Sequence, residues 1–444
     1  MALADLMLKP NGKIAAVVPI NIARGKATEK IRDYLLKNYY IKYIVKSTVD
    51  KAFSEKANFR DILLVAEKRK PCDTDKTIII LLKQSIQEGD LETFQKIARS
   101  IRELEKNDNI KDENFEYFIV DYKKLKEHKD NLMPFLAFTS TETQQILVSF
   151  LNLLKKSPKI SYPIKSELLI EGFHASPKGL SELTFITSPS DKSRIEQAFL
   201  ILEKKEKQHV TVQIKNTNIS IEIDIDKINP ALRTITGIDR IDITNNCDWL
   251  ISDKFEKFEI VRGCSSWKGK FSWKMVKKKM KNRNWHLAIP SRFRMNSKNT
   301  KVIAVYCDNK FYAPHTFKMV RIENKEKAKM YGLILNSVLF LINFIFLGSQ
   351  TTLGYTDLRE SDLVNFILLD PDKLNRNEQQ QLLNLFEEIR SKSFPSIIEQ
   401  LEQKCKVREK IDKAILQILG FSDKEIEDWL PKIYSAIVKE LKTN

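Results

Sequence analysis

Lys9-Pro10-Asn11-Gly12-Lys13, followed by the unbroken run Ile14-Ala15-Ala16-Val17-Val18-Pro19-Ile20, decides the fold class of this chain. Pro-Asn-Gly is turn chemistry, with Gly12 free to take a positive φ. An uncharged apolar run without alternation matches a strand buried on both faces, as in a parallel sheet. Upstream, residues 1–8 read as the end of a helix. Downstream, Ala27, Ile31, Tyr34 and Leu35 recur at helical spacing and residues 39–45 return as a second strand, which makes a β-α-β unit. Further strands are expected at 61–66, 77–82 and 115–122. Three buried strands with one helix do not close a doubly wound sheet. The chain therefore reads as a partial doubly wound α/β domain, beginning as though cut from the middle of a larger one.

From about Ser161 the texture changes to short strands and turns around Gly172, Pro177, Gly179 and Pro189, the mark of a second, mixed α/β domain. The C-terminal part reads as helical. Asp370-Pro371 supplies an N-cap and first-turn proline for a helix running toward Ser391. Ser422 and Glu425 form a capping box ahead of an apolar stripe at Ile426, Trp429, Leu430, Ile433 and Ile437. The expected domains are 1–160, 161–330 and 331–444. The apolar stretch 331–347 would span roughly 26 Å as a helix, short of the ~30 Å hydrocarbon core. Asn336 and Asn343 lie seven apart and would share one helix face, so it reads as a core helix and not a membrane span.

The chain has 444 residues, 75 Lys and Arg against 58 Asp and Glu, and a net charge of +17. Such a surplus favours an anionic partner. The five cysteines are scattered without metal spacing, and no secretory leader pattern opens the chain, which points to a reduced, cytoplasmic protein without structural zinc. The five histidines form no metal-like pair. Neither a Walker-type loop nor a Gly-x-Ser-x-Gly elbow is present, so NTPase and hydrolase readings have no residues to stand on.

The segment from Leu8 to Ile20, with Arg24-Gly25-Lys26-Ala27-Thr28, Ile31 to Leu35, Tyr43-Ile44-Val45 and residues 52–65, resembles the adenine-N6 DNA methyltransferases of restriction-modification systems. In that family the matching segment lies just after the catalytic Asn-Pro-Pro-aromatic motif. Leu335 to Phe340, Gly348 to Gly354 and Asp357 to Leu363 resemble the close of the family's target-recognition region. Residues 70–330 are only loosely covered. The resemblance implies transfer of a methyl group from S-adenosylmethionine to adenine N6, with double-stranded DNA as partner and a restriction endonuclease as a further associate. It also implies that Phe53, or Phe59 one short loop later, stacks on the extruded adenine.

The chain holds no Gly-x-Gly and no Pro-Pro. The Gly-rich turn that lets a backbone approach the cofactor and the catalytic loop are therefore expected on another, upstream polypeptide, or have been lost. No catalytic, cofactor-binding or metal-binding residue is assigned here. Two other readings stay open: a non-catalytic DNA-binding or specificity subunit, and an unrelated basic α/β scaffold.

Residues 261–307 contain thirteen Lys or Arg, no acid, and three of the five tryptophans. Cations that displace counterions and rings that stack suit a nucleic acid. The candidate DNA-binding residues are Trp267, Lys268, Lys270, Trp273, Lys274, Lys277, Lys278, Lys279, Lys281, Arg283, Arg292 and Arg294.

Overall fold

The computed structural model describes residues 2–24, 26–49, 53, 60–86, 89–105, 110–174, 180–350 and 356–443. The chain divides into two compact units: residues 1–153, 344–357 and 435–444 in the first, and 154–343 and 358–434 in the second. The segment 331–444 is thus shared between the units rather than forming a region of its own.

Unit 1 is built on five strands: β1 (Lys13–Pro19), β2 (Tyr40–Ser47), β3 (Asp61–Glu67), β4 (Lys76–Leu82) and β5 (Phe115–Asp121). Their order across the sheet is β1-β3-β2-β4-β5. Strand β3 runs antiparallel to both β1 and β2, so β1 and β2 run parallel with β3 inserted between them. β2 pairs with β4 in parallel and β4 with β5 in antiparallel fashion. Burial follows position. In β4, next to last in the order, Ile79, Ile80 and Leu81 are fully enclosed. Helices α1 (Ala2–Met7), α2 (Glu29–Asn38) and α3 (Leu91–Glu103) belong to the same unit. In α2, Leu35 and Leu36 are buried, and Ile97 of α3 joins the core cluster around Val45, Ile80 and Phe115.

Strand β1 departs from the sequence reading. It is not buried between parallel neighbours; among the described residues it forms the sheet edge, paired only with β3, and its residues alternate between exposed and half-buried. Val17 is 48% exposed. An unbroken apolar run reports what a strand could bury, whereas its actual burial depends on neighbours far away in sequence. The strand also stops at Pro19, and Ile20 opens a short 3-10 turn. At the preceding turn, Asn11 and not Gly12 takes the positive φ, of 62°. Gly12 serves a different need, since a Cβ there would meet the Lys9 carbonyl at 2.8 Å.

Behind β2, Lys46 is buried and donates to the Phe138 carbonyl at 2.7 Å. The equally buried Glu440 accepts from the Thr139 amide at 2.9 Å and from the Thr143 hydroxyl. Burial, and then the Arg60 charge, push the Lys46 ammonium down to about 7, with Glu440 opposing. The unfolded chain keeps that proton up to the ordinary 10.5. Between these values the unfolded state binds more protons, so this group makes stability rise with pH above about 7. The urea midpoint should climb from pH 7 to pH 9, below the range near pH 10 where unfolded tyrosines ionise. In Lys46→Met the climb should be reduced; an identical pH dependence would contradict the assignment.

Unit 2 is organised by a ten-stranded mixed sheet. Its strands are β6 (Leu169–Glu171), β7 (Phe185–Thr187), β8 (Leu200–Lys205), β9 (His209–Ile214), β10 (Ser220–Asp224), β11 (Ile228–Ala231), β12 (Asp248–Ile251), β13 (Asn284–Pro290), β14 (Val305–Tyr312) and β15 (Phe317–Val320). They lie in the order β10-β9-β8-β7-β12-β11-β14-β13-β15-β6. A buried ion pair between Arg194 and Asp248 at 2.6 Å ties the middle of the sheet together, and Asp248 also accepts from the amides of Ser188 and Arg233.

The apolar stretch 331–347 is not one helix. It is split into Lys325–Leu335 and Val338–Leu347, bent by 64° at Asn336-Ser337, and among the described residues no single helix is long and apolar enough to cross a membrane. Asn336 and Asn343 therefore sit on different sides of the bend rather than on one helix face. Both find buried partners: Asn336 accepts from the Ile303 amide and donates to the Ala304 carbonyl, while Asn343 exchanges two hydrogen bonds with the Ile367 backbone. Asp370-Pro371 caps only the 3-10 turn Pro371–Lys373; the helix Arg376–Ile389 begins later, capped by Asn375 and Glu378. The Ser422 and Glu425 capping box forms as expected, and Ile426, Leu430, Ile433 and Ile437 are buried below it.

Candidate nucleic-acid interface

The acid-free tract is divided between core and surface. Helices α4 (Phe258–Cys264) and α5 (Trp273–Met280) flank an irregular stretch, after which β13 carries the chain into the sheet. On α5, Val276 and Met280 are buried and Trp273 lies on the same side, at the spacing that aligns residues on one helical face. The Trp273 ring meets Phe271 at 4.8 Å and Phe258 at 4.9 Å in edge-to-face contacts. Trp267 packs on the cluster that includes Phe255, Phe258 and Val261. Gly269 lies against its indole so closely that a Cβ there would come within 2.4 Å of the ring. The structure uses Trp267 and Trp273 to anchor the tract. The third tryptophan, Trp285, is half-buried with Lys310 4.8 Å above its ring.

Opposite that face, Lys274, Lys277, Lys278 and Lys281 recur at three- and four-residue intervals and are all exposed. They form one lysine stripe. Lys277 is tied to Asp253 at 2.6 Å, and this hydrogen bond is the main reason the Asp253 carboxyl ionises below its usual range. Lys279 points away from the stripe and is half-buried, which depresses its pKa. Lys268 is exposed and donates to the Ser265 carbonyl at 3.0 Å. Lys270, just before the helix, is exposed. Arg283 is committed to structure, donating from Nη1 to the carbonyls of Glu171 and Gly172 at 2.8 Å each. Arg292 and Arg294 lie exposed further along, beyond β13. The candidate cations thus separate into those holding the fold, an exposed row on and beside α5, and exposed groups elsewhere, Lys268, Arg292 and Arg294.

Phe53 is half-buried and packs against the unit 1 cluster of Val45, Ile78, Ile80 and Phe115. Phe59 lies outside the described residues. Among the described residues no group of three or more His, Cys, Asp or Glu could hold a metal ion. His174 and His315 stack edge-to-face at 4.7 Å, a pairing not visible in the sequence. Burial and the neighbouring ring lower the His315 pKa.

No family model and no curated protein matches the chain. Among solved structures it is similar to the type IIG restriction endonuclease BpuSI, with a TM-score of 0.45 and 14% identity over 99% of this chain and 48% of that one. It is also similar to the type IIL restriction-modification enzyme MmeI in complex with DNA, with a TM-score of 0.42 and 12% identity over 98% of this chain and 50% of that one. A modification subunit of a putative type I restriction enzyme from Vibrio vulnificus YJ016 matches 26% of each chain at 15% identity and a TM-score of 0.20. The chain spans about half the length of BpuSI and MmeI.

The two faces of α5 should separate in a stability measurement. Trp273→Ala should cost about 3 kcal/mol, the range of a large aromatic lost from packed surroundings. Lys274→Gln and Lys278→Gln should each stay within about 0.5 kcal/mol. Urea denaturation checks both, and equal effects would contradict the assignment of anchor and surface.

Proposed function

We propose that this chain supplies the back of the catalytic domain and the DNA-recognition region of an S-adenosylmethionine-dependent adenine-N6 DNA methyltransferase in a restriction-modification system. The observation that carries the reading is β1. Five consecutive apolar residues, Ile14 to Val18, lie along the edge of the unit 1 sheet and none of them is buried. An exposed apolar edge strand is the place where another strand pairs. A doubly wound sheet binds its cofactor where its two halves meet, at the carboxyl ends of the strands. The open edge of β1 is where the other half of this sheet would join, on the same polypeptide or on another one.

The residues of unit 1 do not by themselves fit S-adenosylmethionine. β1, β2 and β4 are followed directly by Ile20-Asn21, Thr48-Val49 and Lys83-Gln84, with no glycine in the turn to admit a cofactor backbone contact. No catalytic step is assigned to this chain's own side chains. Phe53 is the ring proposed to stack on the extruded adenine, a contact worth about 1–3 kcal/mol per base.

The test is tritiated-methyl transfer to mixed-sequence duplex DNA. The chain would be assayed by itself and together with the preceding or neighbouring coding segment that carries the Gly-rich and Asn-Pro-Pro motifs. Activity only in the joined form is expected. Transfer by this chain alone would overturn the reading. In the joined form Phe53→Ala should change the fluorescence of 2-aminopurine placed at the target or the rate of transfer, whereas lost stability with neither change would leave Phe53 a core residue.

A further inference from the structure

We infer that the lysine stripe of α5 is a phosphate-backbone clamp for duplex DNA, formed by Lys270, Lys274, Lys278 and Lys281 rather than by the tract as a whole. This rests on the DNA methyltransferase reading and assigns its DNA contact to particular residues and to one part of the DNA. Among the described residues none of the four has an acidic partner, whereas Lys277 is bound by Asp253 and Arg283 by backbone carbonyls. Their distribution along the helix is informative. Lysines in the last turn favour the negative end of the helix dipole, which accounts locally for Lys277 and Lys278. Lys274 sits in the first turn at the opposite end, where positive charge is disfavoured, so local helix energetics give no reason for it, and Lys270 precedes the helix altogether.

Geometry favours a phosphate row. From Lys274 to Met280, where α5 ends, the helix rises roughly 9 Å, at about 1.5 Å per residue, and Lys281 follows as its C-cap. Each DNA strand carries a phosphate roughly every 3.4 Å of axis while winding round it, so a cation row of this length lies against more than one phosphate, with Lys270 and Lys281 flanking it. Lysine is a compact point charge that suits a phosphate and does not read a base edge by a planar fork. The nearby aromatic rings are already committed: Trp273 to Phe258 and Phe271, and Trp267 to the core with Gly269 beneath it. The same commitment argues against a lipid surface. An amphipathic helix binds a membrane through its apolar face, and on α5 that face, with Val276 and Met280, is already buried in unit 2.

The clamp therefore contributes affinity and salt dependence without sequence preference. The test is fluorescence-anisotropy titration of the full chain with a labelled mixed-sequence duplex across a salt series, comparing wild type with Lys270→Gln/Lys274→Gln/Lys278→Gln/Lys281→Gln. Each lost phosphate contact should reduce the slope of log K on log salt by about 0.9, roughly 3.6 in all. The two proteins should share one urea midpoint, and Trp285→Phe, outside the stripe, should keep the wild-type slope. Duplex binding with an unchanged slope in the quadruple variant would overturn the clamp and leave the methyltransferase reading standing. No duplex binding by the wild type would overturn both. Binding to anionic phosphatidylserine vesicles in preference to duplex would identify the stripe as a lipid surface and likewise overturn the clamp.

Discussion

The outward side of β1 is the constraint on which the account of unit 1 depends. β1 and β3 are antiparallel, and the hydrogen bonds Ile20 N to Arg60 O and Lys68 N to Gly12 O fix which residues face the partner. Pairs in an antiparallel ladder alternate between bonded and non-bonded. Even-numbered residues of β1 therefore bond to β3, and the backbone groups of Lys13, Ala15 and Val17 point to the open edge. Those residues also carry the exposed side chains, together with Pro19. An edge of this length without an inward charge or a bulge is what folded proteins avoid leaving bare. Nearby segments share the exposure: Leu6 and Met7 of α1 are 82% and 78% exposed, and Ile31 and Tyr34 of α2 are nearly half exposed.

Unit 2 solves the opposite problem, presenting charge on a segment that is also well anchored. The two-faced helix α5 does so with only eight residues, too short to be stable alone. Its aromatic anchor makes the lysine row a fixed surface instead of a loose basic tail. Rigid placement matters because a long lysine side chain pays rotamer entropy for each contact it makes. Holding the helix axis removes the backbone part of that cost before any contact forms.

Much of this was legible in the sequence, for physical reasons that differ by element. The strands of unit 1 were visible because they are short apolar runs bounded by turns, and the capping box at Ser422 because its two side chains are local. The edge position of β1 was not, since the insertion of β3 between β1 and β2 is a matter of long-range pairing. The helix predicted across 331–347 breaks at Asn336-Ser337, where Asn336 leaves the helical path to satisfy the Ile303 and Ala304 backbone. At the candidate site the density of lysine was plain, but the helical row that Lys274 and Lys278 share was not read from the sequence. The sequence did not show that Asp253 captures Lys277, that Gly172 and Glu171 capture Arg283, or that the tryptophans point inward, because each depends on residues brought from other strands and helices.

Hydrogen exchange at the backbone amides of Ala15 and Val17 tests the open edge most directly, measured in this chain alone and in this chain joined to the proposed other half of the sheet. Both amides should exchange fast in the chain alone, with slow exchange at Ala16 and Val18 beside them, and Ala15 and Val17 should gain strong new protection when the sheet is continued past β1. Protection of Ala15 and Val17 already present in the chain alone, or its absence in a joined form that transfers methyl groups, would contradict the open edge.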